Sequence, residues 1–573
     1  MFRCTHLRYL GALILLCQCS QETHYNQRSP ESSISERKTI DNSNIIAQDE
    51  NKSQKKPKIH PSDEYTPKKE SIPSPSKKSP TQNKEEDINE DINEDINEKD
   101  KPPPFLLFDR PTSSSIRDSF IPFFQEGLDV TQDLAKVQKE DPDDLYFIRY
   151  ISFSFLDYLD MTPSEFIALK KTLINSASLT INSLSKDRSV TRPTAINPQM
   201  SIFRIDIRDY GWTQSEWDHL VQFYPYTQNF DDSFPIIKEQ IETEVPIVRA
   251  DWLAYEATLP EVYYDLLDIP SDLEQLEERI GVHRIEDILR QIDNPRDHIR
   301  IQRAGISPGN SKQTPHHRVV DRHRSNFGFF WISYDFGPPE DQEIKSIFSS
   351  PIGPAPFVSD ITINRDGDRI KAFKPDGHQV IFSLENGLMG FAIYNENESR
   401  IDVADTSVIF DPTNIKDEGI IHVGSSCFKC HFSGLTHVKD EIRDFIDQST
   451  NELFSDEIRS VIHALSSSDH YLLDTITHRD NETLLKKFNE TLLFEDNPLV
   501  LANILQYYKK DLTLDMAASE LNLTSNQLKK AIQYLPIDMR LKLLPLEQGK
   551  LPRQEFERLF PHLIEEIFQI RFD

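Results

Sequence analysis

The pattern of apolar and polar positions divides the chain into a front section with no core-forming signal and a long section that has one. From Ser20 to about Pro104 the residues are mostly Ser, Pro, Lys, Glu and Asn, and Asp87–Glu98 repeats "DINE" three times. Low hydrophobicity with blocks of like charge predicts a disordered low-complexity linker over 20–104. Periodicity begins near Phe105. Leu145, Ile148, Ile151, Phe155 and Leu159 recur at three-to-four spacing and predict a helix. A second helix start follows, with Thr162 as cap, Pro163 at the first position and Glu165 three residues after the cap. "SIFRIDIRDYGW", from Ser201 to Trp212, alternates and predicts a strand, and helices are predicted over 214–223 and 271–292. Trp252, Tyr263 and Tyr264 have the spacing of packing residues rather than of an aromatic ligand box.

Farther along, His316, His317, Arg318, Arg322, His323 and Arg324 gather cations in one segment. It reads either as a solvated loop entering a strand over 327–334, or as a surface turned to a cofactor, with a histidine on a metal or arginines on carboxylates. Residues 360–410 predict hairpins of a small antiparallel sheet, punctuated by "RDGD", "PDGH" and "NENES". "NRDGD" lacks the remaining ligands and closing Glu of a calcium loop, so it is predicted to be a plain turn. After His431 the chain reads as helical to its end. "LTLDMAASELNLTSNQLKKAIQYL" imitates a helix-turn-helix, but it is not basic, and a packed helical pair is expected. The predicted fold class is α+β, mostly helical, with a small antiparallel β region ahead of a helical C-terminal part. The predicted divisions are 1–19, 20–104, 105–345, 346–426 and 427–573.

Charge and cysteine usage narrow the chemistry. The 573 residues carry a formal net charge of −30, which disfavours nucleic acid as a partner. Residues 1–19 read as an export signal: Arg3 and Arg8 precede the apolar run Leu10–Leu16, which is too short to cross a bilayer. Cys19, in "LCQCS", resembles a bacterial lipoprotein cleavage site and is the predicted point of lipid attachment; an ordinary cleaved secretory signal is the alternative. The expected location is therefore outside the cytoplasm, periplasmic or at the cell surface, with an N-terminal lipid anchor on a bacterial membrane. Cleavage before Cys19 would remove Cys4 and Cys17, leaving only Cys427 and Cys430 besides the lipidated residue. No pair remains for a structural disulfide.

Those two cysteines stand in "SSCFKCHFSGL", where Cys427, Cys430 and His431 spell CxxCH. This spacing suits covalent attachment of haem c: two thiols form thioethers to the porphyrin, and the next imidazole binds the iron. Two other readings compete, a dithiol switch and a zinc knuckle of His422, Cys427, Cys430 and His437. For a sixth iron ligand the candidates are Met516 and Met539, downstream of the motif, and His323; an open or water-bound position is the remaining option. His323 is the predicted distal ligand.

"IFRIDIRDYGW", "VRADW", "FSLENGLMGF", "SSCFKCHFSGL" and "DEIRDF" together resemble a group of large bacterial exported proteins with one c-type cytochrome motif in the C-terminal third. The similar region covers about residues 145–570. The resemblance implies haem attachment at Cys427 and Cys430, iron ligation by His431, and electron transfer with an undefined redox partner protein. It also places His323 in a "RVVDRH" segment ahead of the sheet, and sets Met389 where the group carries a polar residue, which argues against Met389 as a general axial ligand. Outside that group the alternatives are a haem enzyme of peroxidase or oxidase type, and a surface protein with a structural zinc or haem site.

Overall fold

The computed structural model describes residues 113–568, except 227–234, 296–300, 309–315, 338–345, 355–372, 405, 407–408, 412–417, 432, 451–452, 467–469 and 496–501. The signal, Cys19, the 20–104 linker and the "NRDGD" turn lie outside the described residues. The predicted cap at Thr162 is present in full. Its side chain and that of Glu165 satisfy each other's backbone N–H at the start of the helix Pro163–Asn182.

The helix expected from Leu145 to Leu159 does not form. Its centre is a strand, β1 (Ile148–Ser152), flanked by 3-10 turns. β1 lies between β3 (Ile202–Asp206), antiparallel to it, and β4 (Ile247–Arg249), parallel to it; β2 (Thr194–Ala195) completes the sheet on the far side of β3. All five β1 residues are buried. Tyr150 packs with Val130, Leu134 and Ile237 on one face, and Ile151 joins the main core on the other. A strand covered on both faces shows no alternation, so its apolar residues fell into an accidental helical spacing. The strand predicted over 201–212 is shorter, because β3 gives way to a 3-10 turn at Ile207–Tyr210.

The second sheet is a six-stranded antiparallel one: β5 (Ile301–Ile306), β6 (His317–Ser325), β7 (Gly328–Phe336), β8 (Gly377–Ser383), β9 (Met389–Asn395) and β10 (Arg400–Ile401), in spatial order β10-β9-β8-β7-β6-β5. The segment with a solvated loop as one of its two readings is β6, in the interior of the sheet. Apart from the exposed Arg324, its Arg and Asp side chains are paired: Asp321 with Arg303 at 2.5 Å, Arg322 with Asp480 at 2.8 Å, and Arg318 with Asp335. Helices cover both faces. Arg284–Asp293 and Asp456–Leu465 pack near β5, while His470–Thr491 supplies Asp480 to the opposite face. The helix predicted over 271–292 is two helices, Leu273–Ile280 and Arg284–Asp293. Gly281 ends the first in the left-handed conformation, φ 70°, which glycine adopts without steric cost.

The C-terminal part is mainly helical. The pair Leu514–Glu520 and Ser525–Ile532 is capped by Thr513 and Thr524 and packed, as expected, into the core. Glu520 holds it there through Arg249, at the end of β4, and Arg553, in the last helix. The result is a mixed α+β fold.

Candidate functional site

The CxxCH residues form a short helix, Ser425–Cys430, that begins at Gly424 with φ 80°. This backbone and the close Thr258 carbonyl both demand glycine, since a Cβ at 424 would lie 2.4 Å from that oxygen. The Thr258 carbonyl accepts the Ser425 N–H at 2.8 Å, which anchors the front of the helix. Phe428 fills the interior, edge-on to Tyr263 at 6.0 Å and Phe391 at 5.1 Å. Trp252, Tyr263 and Tyr264 are all buried, as their spacing implied. Lys429 reaches Asp411 at 2.6 Å on the outer side.

Cys427 and Cys430 are free thiols, three residues apart and therefore neighbours on one helix face. Burial pushes the Cys427 thiol up to about 12, and burial followed by Asp411 raises Cys430. Neither has the lowered pKa of a reactive dithiol. His431 closes the helix, its N–H donating to the Cys427 carbonyl at 2.8 Å. Its ring lies 5.8 Å from that of Phe391, and burial lowers its pKa and favours neutral imidazole. Nδ1 is 3.2 Å from the Gly434 carbonyl. A neutral ring that donates from Nδ1 carries its free lone pair on Nε2, the arrangement by which metal-binding histidines are usually oriented. Beyond it, Asn481 brackets Leu435, accepting its N–H at 2.7 Å and donating to its carbonyl at 2.9 Å.

Strand register decides which side chains of the sheet face this helix. Arg322, Trp331, Ile381 and Phe391 stand in one row across β6 to β9, and His323, Phe330, Phe382 and Gly390 stand in the next. Adjacent rows project to opposite faces. Phe391 touches His431, so His323 belongs to the other face, where its Nδ1 lies 3.5 Å from Asp287 of the helix Arg284–Asp293. The structure therefore does not bring His323 to His431, which corrects the expectation that it is the distal ligand. Arg318 has the parity of Arg322, and its charge acts on His431. Its Nε binds Asp335, while its buried Nη2 has no hydrogen-bond partner among the described residues.

The other candidates are dispersed. Met539 is buried on the inner side of the helix Ile537–Gln548, and Met516 is half-buried in Leu514–Glu520. His437 is exposed and 3.5 Å from Asp474, while His422 lies in a two-residue strand against Val403. Among the described residues no group of three or more His, Cys, Asp or Glu side chains could hold a metal, so the zinc knuckle does not assemble.

Residue spacing did not reveal Asn481, Asp480 or the Gly434 carbonyl. Arg318 could have been separated from His323 by parity, had "RVVDRH" been read as a strand. No helix among the described residues is long and apolar enough to cross a membrane. No known protein family, curated protein or solved structure matches the chain.

Proposed function

We propose that this protein is an exported, lipid-anchored mono-haem c-type cytochrome that transfers single electrons to and from a partner protein. The observation that carries the reading is the orientation of His431. Its Nδ1 is engaged by Gly434 one turn beyond two free thiols on a single helix face, which leaves Nε2 for iron. Cys427 and Cys430 would hold the porphyrin as thioethers, and Arg318, with its buried unpartnered Nη2, suits one of its carboxylates. Haem supplies the one-electron redox couple when bound.

The chain's own contribution is rigidity and exclusion of water. Phe428 and Phe391 pack beneath the motif, Thr258 and Asn481 clamp its two ends, and Asp335 holds Arg318 through its Nε. A fixed set of ligands keeps reorganisation small as charge comes and goes. Residues 1–19 support export, and Cys19→Ser should move the chain from the membrane fraction to the soluble one.

The test is to produce the full chain in a bacterium with c-type maturation. A visible spectrum with haem bands, and a mass increased by one haem that survives denaturation, support the reading. A colourless chain of unmodified mass rejects it, and Cys427→Ala should convert the first result into the second.

A further inference from the structure

His431 and Gly434 are tied to each other twice. The Gly434 N–H donates to the His431 carbonyl at 3.0 Å, and the Gly434 carbonyl accepts from Nδ1 of the ring at 3.2 Å. That carbonyl belongs to the peptide joining Gly434 to Leu435. The N–H of the same peptide is the one that donates to Asn481 Oδ1 at 2.7 Å. The peptide is trans, so its C=O and N–H point opposite ways in one rigid plane. Holding the N–H on Asn481 therefore aims the carbonyl at the imidazole on the other side.

Both partners of this contact are built for it. A Cβ at Gly434 would lie 2.5 Å from Asn481 Oδ1, so glycine is what lets the peptide lie against the amide. Asn481 stands on the helix His470–Thr491, which its neighbour Asp480 fastens to the sheet through Arg322 at 2.8 Å and the Trp331 indole at 3.2 Å. The second bond of the Asn481 amide goes to the Leu435 carbonyl at 2.9 Å, which belongs to the next peptide.

We infer that Asn481 is a positioning residue for His431, acting through the Gly434–Leu435 peptide to keep the proton on Nδ1 and the free electron pair on Nε2. The chain from Asn481 Oδ1 through the peptide to Nδ1–H is polarised in one direction, so each hydrogen bond strengthens the next. A carbonyl made more negative in this way makes Nε2 a stronger electron-pair donor, as the outer partners of ligating histidines do. The consequence for iron rests on the cytochrome reading, whereas the choice of tautomer does not.

The test uses the full chain made without c-type maturation and labelled with nitrogen-15 in its histidine rings. NMR is recorded at a pH where the ring is neutral, and the His431 signals are those missing from His431→Gln. The unsubstituted chain should show the Nδ1–H tautomer alone. Asn481→Ala should add the Nε2–H form as a second set of signals. So should Asn481→Leu, which keeps most of the side-chain volume and serves if the alanine variant does not fold. Asn481→Asp keeps the acceptor and loses the donor, so it should retain the Nδ1–H form while lowering the thermal midpoint. A clamp with a structural role alone would lower the midpoint in all three and leave the tautomer unchanged. In the haem-loaded chain, Asn481→Ala should make the reduction potential more positive, because a weaker imidazole donor stabilises ferric iron less. A ring that stays wholly Nδ1–H without the Asn481 amide overturns the inference, as does one that changes equally in Asn481→Asp, or a potential that does not rise. A colourless chain rejects the cytochrome reading alone, since the haem-free measurement still decides the role of Asn481.

Discussion

Glu520 offers the sharpest test of how the C-terminal helices are held. Its carboxylate meets Arg249 at 2.8 Å and Arg553 at 2.5 Å and accepts the Tyr226 hydroxyl at 3.0 Å, and its side chain is only 2 % exposed. Arg249 also has Asp251 at 2.8 Å, whereas Arg553, once Glu520 is gone, keeps among the described residues the Tyr226 hydroxyl as hydrogen-bond acceptor and the Tyr508 ring, 4.5 Å away, but no ion pair. Glu520→Ala therefore strands a buried guanidinium. Breaking a buried pair from one side costs about 3–5 kcal/mol, against less than about 1 for an exposed pair. Roughly 390 described residues imply an unfolding entropy near 0.8 kcal/mol/K, so the thermal midpoint should fall by about 4–6 °C. Glu520→Gln keeps the shape and an acceptor, and should lose about half as much. Differential scanning calorimetry at one scan rate measures both. An Ala variant melting within about 1 °C of wild type would refute the reasoning and demote the cluster to incidental packing.

Three further outcomes are expected. Gly424→Ala forces a Cβ against the Thr258 carbonyl at a φ of 80°, and should destabilise by about 1–3 kcal/mol and lower hydrogen-exchange protection at Ser425. Glu126, buried beside Ser152, has its carboxyl pushed up to about 7 by burial, so the folded state binds its proton more tightly than the unfolded state does. That stability is complete below about pH 4.5 and is lost as pH rises through 7, a change of about 3 kcal/mol. Urea midpoints at the two ends of this range should differ less for Glu126→Gln than for wild type. On the cytochrome reading, Arg318→Leu removes a cation near the iron and should make the reduction potential more negative, with Arg318→Lys intermediate, as read by spectroelectrochemistry.

Local rules made some elements legible and long-range pairing hid others. The Thr162–Glu165 cap needs only four residues, and it was readable. So was the β8–β9 hairpin, and so was the packed pair Leu514–Glu520 and Ser525–Ile532, whose lack of basic charge argued for packing. β1 was misread because its neighbours β3 and β4 come from some 50 and 100 residues away and bury both its faces. The solvated-loop reading of β6 fails for an electrostatic reason. Arg318, Asp321 and Arg322 look solvated until Asp335, Arg303 and Asp480 are seen to neutralise them, and Asp480 lies 158 residues from Arg322. The CxxCH itself was evident, but not the face of the sheet it sits on, and that face excludes His323.

The two clamps on the motif helix come from opposite directions in the chain. Thr258 precedes the cysteines by well over a hundred residues, whereas Asn481 follows His431 by fifty. During synthesis, the partner for the front of the segment, Thr258, is already present when the cysteines are made, whereas the partner for its rear is not available until residue 481 has been added. On the cytochrome reading, haem attachment would thus have an interval, set by chain length, in which both thiols hang from a half-fastened loop. Shortening the stretch between Leu435 and Asn481 would close that interval sooner.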